Sequence, residues 1–148
     1  MENEIWLPVE GFECLYEISS HGRIKSLDKS WVNDRGGLCR KPGKLLTPDT
    51  TNGYYHIKLW QNGRFKWFQI HQLVAIAFIP NPENKPHVNH KNSIRSDNRV
   101  ENLEWCTPKE NLAHAVEKGR LKHINGKKVI NKLTGQTYKS CKDAAETV

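Results

Sequence analysis

Hydrophobic and polar residues alternate along the middle of the chain, as they do in half-buried β-strands. Two such runs, 54–61 (YYHIKLWQ) and 64–70 (RFKWFQI), are separated by Asn62-Gly63. Asn-Gly between alternating runs is a strong signal for a two-residue hairpin turn. An earlier pair of short β-type runs flanks Ser20-His21-Gly22, where Gly22 can supply the positive φ of a tight turn. We therefore predict two β-hairpins.

Helical spacing replaces this alternation directly after the second hairpin. Apolar side chains recur every three to four residues along 70–79 (IHQLVAIAFI), and Pro80 stops the run. We predict a short core helix with His71 near its start. By contrast, residues 28–44 (DKSWVNDRGGLCRKPGK) are polar, glycine-rich and basic. They indicate an exposed loop, which either follows a phosphate backbone or is a flexible connection without any partner.

A strand, a polar loop, a second strand and a helix follow one another in the next segment. Val88-Asn89-His90 is extended after a proline-rich lead, and residues 102–106 (NLEWC) form the second strand. Thr107 can cap the helix, Pro108 suits its first position, and Glu110 completes a capping box. This order predicts a ββα unit. Because so small a unit buries little surface, we expect it to pack on the hairpin and helix before it.

Polar residues of this unit form a candidate metal-dependent site. Asn111 lies in the first turn of the predicted helix, where it can point back toward Asn89 and His90. Amide oxygens suit Mg²⁺ or Mn²⁺, which take their remaining ligands from water and a substrate phosphate. A neutral imidazole beside such an ion is a good general base for phosphodiester hydrolysis. The alternatives are a core or surface histidine, and asparagines that only cap a helix or a loop.

The balance of charge favours a polyanionic partner. The 148 residues include 23 Lys and Arg against 16 Asp and Glu, a formal net charge of +7, and such an excess is typical of nucleic-acid binding. A two-stranded ribbon also fits the major groove of double-stranded DNA, although a half-buried sheet with a polar outer face explains the same pattern. The candidate DNA contacts are Arg23, Lys25, Arg40, Lys41, Lys44, Lys58, Arg64 and Lys66.

Cysteine usage and hydropathy argue against other classes of protein. Cys14, Cys39, Cys106 and Cys141 stand singly, with no C-x-x-C pair, so no structural zinc is expected. No run approaches the ~18 apolar residues of a membrane span, and the first residues lack a signal-peptide core. We therefore expect a cytoplasmic protein without a membrane partner.

The ββα segment resembles the HNH family of nucleases, in the version found in phage and intron-encoded homing endonucleases. The matching stretches are VNH at 88–90, DNRVENLEW at 97–105 and TPKEN at 107–111. Residues 6–27 also resemble the small module that precedes HNH domains in these enzymes, and residues 128–145 resemble the start of a DNA-binding repeat. The resemblance therefore covers nearly the whole chain.

This resemblance implies a role for each motif residue. His90 would be the general base, and Asn89 and Asn111 would hold a single divalent ion. Asn102 would tie the loop between the strands through hydrogen bonds from its side chain to the backbone. His71 would support the site or contact a phosphate, with a core histidine as the alternative. Some relatives have Asp in place of Asn89, and since an amide binds a dication more weakly than a carboxylate does, Mn²⁺ could be favoured.

These features together predict an α+β fold in three parts. The first is an N-terminal β-hairpin-rich DNA-binding region (1–52), the second a hairpin, short helix and ββα-metal HNH nuclease domain (53–120), and the third a short C-terminal α/β tail with a partial DNA-binding repeat (121–148). The predicted function is a homing-type, metal-dependent HNH endonuclease that nicks double-stranded DNA as a monomer in a bacterial or phage-infected cell. The alternative is a DNA-binding protein with a degenerate HNH site that does not cleave.

Overall fold

The computed structural model describes residues 3–119, 129–130 and 137–138. The chain divides into two compact units, Met1–Lys109 and Glu110–Val148. In chain order the strands are β1 (Trp6–Pro8), β2 (Tyr16–Ser19), β3 (Ile24–Ser26), β4 (Lys29–Val32), β5 (Leu38–Lys41), β6 (Leu45–Leu46), β7 (Asp49–Thr51), β8 (Tyr54–Gln61), β9 (Arg64–Gln69), β10 (His87–His90), β11 (Leu103–Cys106), β12 (Val129–Ile130) and β13 (Thr137–Tyr138). The helices are α1 (Ile70–Phe78) and α2 (Pro108–Glu117), and a 3-10 turn spans Val100–Asn102.

An antiparallel sheet in the order β1-β2-β3-β6 forms the N-terminal part of the first unit. Its β2–β3 turn contains Gly22 at φ +78°, as the sequence predicted. The side chain of Ser19 stabilises this turn, because its hydroxyl accepts a hydrogen bond from the backbone N–H of Arg23 at 2.9 Å. The predicted N-terminal hairpin is therefore confirmed.

The basic stretch 28–44 is exposed along most of its length but is not a loop, and in that respect the prediction was wrong. Strands β4 and β5 pair within it as an antiparallel hairpin. The turn is stabilised locally by Asn33, whose Oδ1 accepts hydrogen bonds from the backbone N–H groups of Arg35 at 3.0 Å and Gly37 at 2.8 Å. An asparagine side chain that mimics a backbone turn in this way allows a polar, glycine-rich stretch to form strands without burying an apolar face.

A second sheet, in the order β7-β8-β9, occupies the middle of the unit. Asn62 and Gly63 join β8 to β9 with φ values of 51° and 74°, which is the positive-φ pair of a type I′ turn. The hairpin predicted from this dipeptide is thus confirmed. The same dipeptide, Asn52-Gly53, makes the β7–β8 turn with φ values of 52° and 80°. The turn between β7 and β8 was therefore marked in the sequence by an Asn-Gly pair, as the turn between β8 and β9 was.

The core of the unit joins both sheets to α1. The side chains buried to 2% exposure or less include Ile18 and Ile24 from the first sheet, Leu59 from the second, Ile70 and Val74 from α1, and Leu103 from β11. Burial of each such side chain contributes roughly 1.5–3 kcal/mol to folding. Since β11 contributes to the same core, the two strands of the predicted ββα unit pack on the preceding hairpin and helix, as expected.

Strands β10 and β11 pair antiparallel, with Asn89 opposite Glu104 and His90 opposite Leu103. Trp105 fastens this pair to the end of α1, because its indole N–H donates to the backbone oxygen of Ile79 at 2.9 Å. The α+β fold class, with a sheet-rich N-terminal region followed by two strands and a helix, is confirmed. The division at residues 52 and 120 stays a prediction.

The second unit contains most of α2 and a short strand pair. Its strands β12 and β13 are antiparallel, with Ile130 opposite Thr137. The other residues of the predicted C-terminal tail and partial repeat (121–148) lie outside the described residues. Within residues 3–119, 129–130 and 137–138, no helix has the length and apolarity needed to cross a membrane.

Candidate active site

His90 ends strand β10 and is buried, with a relative exposure of 5%. Its Nε2 atom lies 3.2 Å from Oδ1 of Asn98, which is itself only 4% exposed. The imidazole also packs against two rings, with centroid distances of 5.0 Å to His71 and 6.0 Å to Tyr54. The imidazole predicted to be the general base is therefore held on several sides by side chains of the first unit.

His71 lies in the first turn of α1 and is 4% exposed. Burial, followed by the neighbouring His90 and His56, lowers the pKa of His71 to about 4. Its Nδ1 atom is buried and has no hydrogen-bond partner among the described residues. A neutral, buried imidazole suits the supporting or core interpretation of His71 better than an ionic contact with DNA phosphate, because only an imidazolium attracts an anion.

Asn89 precedes His90 on β10 and directs its amide toward Glu104 on the paired strand. Its Nδ2 donates a hydrogen bond to Oε1 of Glu104 at 2.9 Å. Since a carboxylate accepts hydrogen bonds and an amide oxygen cannot donate one, this contact fixes the amide orientation and leaves Oδ1 as the atom that can meet a cation. An oxygen donor next to a carboxylate fits Mg²⁺ or Mn²⁺, which are bound by carboxylates and carbonyl oxygens.

The described residues contain no cluster of three or more His, Cys, Asp or Glu side chains that could hold a metal ion. A divalent ion at the motif would therefore rely on amide oxygens, a neighbouring carboxylate, water and substrate. Asn111, the second predicted ligand, is the fourth residue of α2 and belongs to the second unit. Its side chain is exposed, and its assignment rests on its place in the motif.

Asn102 closes the loop that joins β10 to β11. Its Oδ1 accepts a hydrogen bond from the backbone N–H of Asn92 at 3.0 Å, and its Nδ2 donates to the backbone oxygen of Asp97 at 2.7 Å. The backbone oxygen of Asn102 accepts a further bond from Lys91 N at 2.9 Å. Both side-chain bonds run to the backbone, so Asn102 contributes to the shape of the loop that carries Asn98.

Three further residues of the site were not predicted from the sequence. Asn98 and Glu104 contact His90 and Asn89 directly. Arg95 places its guanidinium 4.9 Å from the centre of the Tyr54 ring and donates to the backbone oxygen of Asn52 at 2.9 Å. All three residues lie within or next to the motif stretches of the sequence. Only the strand register and the path of the loop between β10 and β11 show which side chains they contact.

The predicted DNA-contacting cations fall into two groups. Arg23 and Lys25 already pair with carboxylates: Arg23 donates to Glu4 through Nε at 2.8 Å and through Nη2, and Lys25 lies 2.7 Å from Glu17. The exposed cations on β5, β9 and the segment before β6 have no such ion pair among the described residues. They are Arg40, Lys41, Lys44, Arg64 and Lys66.

Lys58 lies on an exposed aromatic face of the β8–β9 hairpin. Its Nζ is 4.4 Å from the ring centre of Phe65 and 5.0 Å from that of Trp67. Because side chains alternate between the two faces of a strand, Arg64 and Lys66 point away from this aromatic face. Lys58 instead shares the lining of a cavity of about 300 Å³ with Lys29, Lys41 and Lys44. The structure thus brings three of the predicted DNA contacts to one basic cavity.

Comparison with known proteins identifies both parts of the chain. Residues 4–60 match the NUMOD4 motif, and residues 68–113 match the HNH endonuclease family. Uncharacterized HNH endonucleases L247 and L245 of Acanthamoeba polyphaga mimivirus are 38% identical over 121 residues and 37% identical over 149 residues. These alignments cover 78% and 98% of this chain but only 27% and 41% of the two relatives, so the chain spans less than half of their length.

A phage protein and its solved structure are similar over more of their length. DNA endonuclease I-HmuI of Bacillus phage SP01 is 31% identical over 132 residues, covering 88% of this chain and 68% of the phage protein. The structure of the HNH homing endonuclease I-HmuI aligns with a TM-score of 0.60 and 27% identity over 97% of this chain and 83% of that one. The resemblance seen in the sequence is confirmed, and this chain belongs to the HNH homing endonuclease family.

Proposed function

We propose that this chain is a metal-dependent endonuclease that hydrolyses phosphodiester bonds in double-stranded DNA, with His90 as the general base. The observation that carries the proposal is the arrangement at the end of β10. There, a buried imidazole follows directly on Asn89, whose amide nitrogen is held by Glu104. A fixed base beside a fixed oxygen donor is the pairing that metal-assisted hydrolysis requires.

In this proposal His90 removes a proton from water as the water oxygen attacks phosphorus. The new bond joins that oxygen to phosphorus, and the bond from phosphorus to the 3′ oxygen breaks. The departing oxygen takes a proton from solvent, which leaves 5′-phosphate and 3′-hydroxyl ends. Imidazole is the side chain most often used as a general base in such a step.

Asn89 and Asn111 are the residues that would hold a single Mg²⁺ or Mn²⁺ ion. When bound, such an ion neutralises charge that develops on the scissile phosphate and on the leaving oxygen. The orientation of the Asn89 amide supports its part in this assignment, whereas Asn111 is assigned from the family motif. With Asn at position 89 the ion would be held less tightly than by a carboxylate, and so Mn²⁺ would be used more readily.

The cations that form no ion pair among the described residues supply the contacts to DNA. Arg40, Lys41, Lys44, Lys58, Arg64 and Lys66 would follow the phosphate backbone, which a basic surface binds without regard to sequence. Lys41, Lys44 and Lys58 line one cavity, and this concentration of positive charge supports the proposal. Arg23 and Lys25 would contribute less, because their charges are already paired with Glu4 and Glu17. A monomer with one such site would attack one strand and so act as a nickase.

The alternative is a protein of the same family that binds DNA without cleaving it. The observation in its favour is the neutral Asn89 at a position where a carboxylate would bind the ion more tightly. Both candidates predict salt-sensitive DNA binding, but only the first predicts cleavage that depends on His90.

The test is conversion of supercoiled plasmid that carries the DNA flanking the gene for this chain. The plasmid is incubated with wild-type protein in Mg²⁺, Mn²⁺ or EDTA, and with the His90→Ala and His87→Ala variants. His87 is the matched control, because it is an exposed histidine at the other end of the same strand. We expect a nicked product with metal, none with EDTA or His90→Ala, and unchanged nicking with His87→Ala. Binding of the plasmid without nicking in either metal would favour the non-cleaving alternative.

A further inference from the structure

The contact between Asn98 and His90 determines which ring nitrogen of His90 carries hydrogen. Oδ1 of Asn98 lies 3.2 Å from Nε2 of His90, and both residues are at least 95% buried. An amide oxygen can only accept a hydrogen bond. Nε2 must therefore donate, and in a neutral imidazole the lone pair then lies on Nδ1. Oriented in this way, the imidazole presents one defined nitrogen as the base.

The turn between β2 and β3 packs closely against Asn98. A Cβ atom added at Gly22 would lie 2.6 Å from Cβ of Asn98 and 3.2 Å from its backbone oxygen. The neighbouring Ser20 accepts a hydrogen bond on its backbone oxygen from Val100 N at 2.9 Å. The hairpin turn therefore packs directly against the segment that carries Asn98, with no room for a side chain between them.

We propose that Asn98 is a positioning residue for His90, and that the Gly22 turn of the NUMOD4 part fixes the position of Asn98 by packing against it. The N-terminal part of the chain thereby controls the tautomer and orientation of the base in the HNH part, in addition to any contact with DNA. This inference rests on the proposed function of His90. It extends that function by assigning an effect on the chemical step to the Gly22 turn, which lies outside the HNH motif.

The first test reads the imidazole itself and needs no cleavage assay. The chain is prepared with ¹⁵N-labelled histidine rings, and the His90 signals are identified by their loss in His90→Gln. At a pH where the ring is neutral, we expect the chemical shifts of an Nε2–H tautomer in the wild type. Asn98→Ala should shift the signals toward a mixture of tautomers, and Asn98→Asp, which retains an acceptor at the same place, should restore the Nε2–H form.

Two results of this test would overturn the inference. One is an Nδ1–H tautomer in the wild type, and the other is an unchanged spectrum in Asn98→Ala. Cleavage measured in parallel separates a positioning role from a merely structural one. We expect Asn98→Ala to lower kcat by about 10- to 100-fold, by analogy with the loss of a hydrogen-bond partner that orients a metal-binding histidine. KM should change little, and Asn98→Asp should recover part of the rate.

The second test uses two glycines with the same backbone conformation. Gly22 has φ +78° and Gly11 has φ +76°, but a Cβ added at Gly11 meets nothing within 4 Å. Gly22→Ala and Gly11→Ala therefore share the strain of a left-handed alanine and differ in the clash with Asn98. We expect Gly22→Ala alone to change the His90 spectrum and lower kcat. Equal effects of the two variants on the spectrum and on kcat, after thermal unfolding confirms that both fold, would contradict the role of Gly22 in fixing the position of Asn98.

Failure of the proposed function would look different from failure of this inference. If the wild type shows the Nε2–H tautomer, and Asn98→Ala disturbs it, but no DNA is cleaved, the positioning contact stands and the endonuclease proposal fails. If cleavage depends on His90, but Asn98→Ala and Gly22→Ala change neither the tautomer of His90 nor kcat, the endonuclease proposal stands and this inference fails.

Discussion

Asn89 and Glu104 face each other across strands β10 and β11, joined by a hydrogen bond of 2.9 Å from Nδ2 of Asn89 to Oε1 of Glu104. The pair combines one neutral and one anionic side chain at the end of the strand that carries His90. Negative charge for a cation is therefore present next to position 89 although residue 89 itself is uncharged.

Replacing Asn89 with Asp should strengthen metal binding. A carboxylate binds a hard dication more tightly than an amide, so Asn89→Asp should lower the Mg²⁺ concentration for half-maximal nicking severalfold. In metal-free buffer the same variant should unfold more easily, because directly opposed like charges destabilise a strand pair. A Mg²⁺ titration of nicking and thermal unfolding in EDTA measure the two effects.

Asn84→Asp is the control for the added charge, since Asn84 is exposed and outside the site. The double variant Asn89→Asp with Glu104→Gln should regain stability in EDTA because the repulsion is removed. An unchanged Mg²⁺ requirement in Asn89→Asp would argue against residue 89 as a ligand.

Removal of the titrating group at His71 should flatten the pH dependence of stability. Its pKa is lowered to about 4 in the folded chain, against about 6.5 for an ordinary histidine. Between these values the unfolded chain binds the proton and the folded chain does not, so the stabilising contribution is complete above pH 6.5 and is lost as the pH falls toward 4. We expect the wild type to lose about 1 to 2 kcal/mol between pH 7 and pH 5 from this group.

The variant His71→Phe, which retains an aromatic ring against Tyr54 and His90, should lack this part of the loss. Urea unfolding of both proteins at pH 7 and pH 5 gives the comparison. Equal losses of unfolding free energy in the wild type and in His71→Phe would show that another group dominates in this range.

Loss of the Asn102 side chain should destabilise the chain more than loss of a comparable exposed asparagine. Asn102 is 6% exposed and bonds the backbone of both Asn92 and Asp97, so Asn102→Ala leaves partners unsatisfied and should cost about 1 to 3 kcal/mol. Asn33 makes two analogous bonds in an exposed turn, where water can replace them. Urea unfolding should show a smaller loss for Asn33→Ala, and a ranking in the opposite order would contradict this account.

DNA affinity should depend on salt mainly through the cations that have no ion pair within the described part of the chain. Each phosphate contact contributes about 0.9 to the slope of log affinity against log salt concentration. The double variant Lys41→Ala with Lys44→Ala should therefore reduce the slope by about 2. Arg23→Ala with Lys25→Ala, whose charges are paired with Glu4 and Glu17, should reduce it less. Fluorescence anisotropy with a labelled duplex across a salt series measures both slopes, and equal reductions would show that the ion pairs open on binding.

Local signals in the sequence were enough to predict the elements around the site. Asn62-Gly63 marked one hairpin and Gly22 marked another, because positive φ is restricted to few residue types. The proline at 108 marked the start of α2. The stretch 28–44 was misjudged because its hairpin depends on side-chain bonds within a turn, and hydrophobic alternation does not report them.

By itself the sequence determined the order of strands, turns and helices around the site, the motif residues His90, Asn89, Asn102 and Asn111, and through them the family. These properties are carried by residues close together along the chain, and periodicity and turn chemistry report them directly. Only the tertiary structure decided that Glu104 accepts a hydrogen bond from Asn89 and that Asn98 contacts His90. It alone also decided that Gly22, 76 residues earlier in the chain, packs against Asn98. Such contacts depend on strand register and on the packing of both sheets against α1, where distances in space are unrelated to separation in sequence.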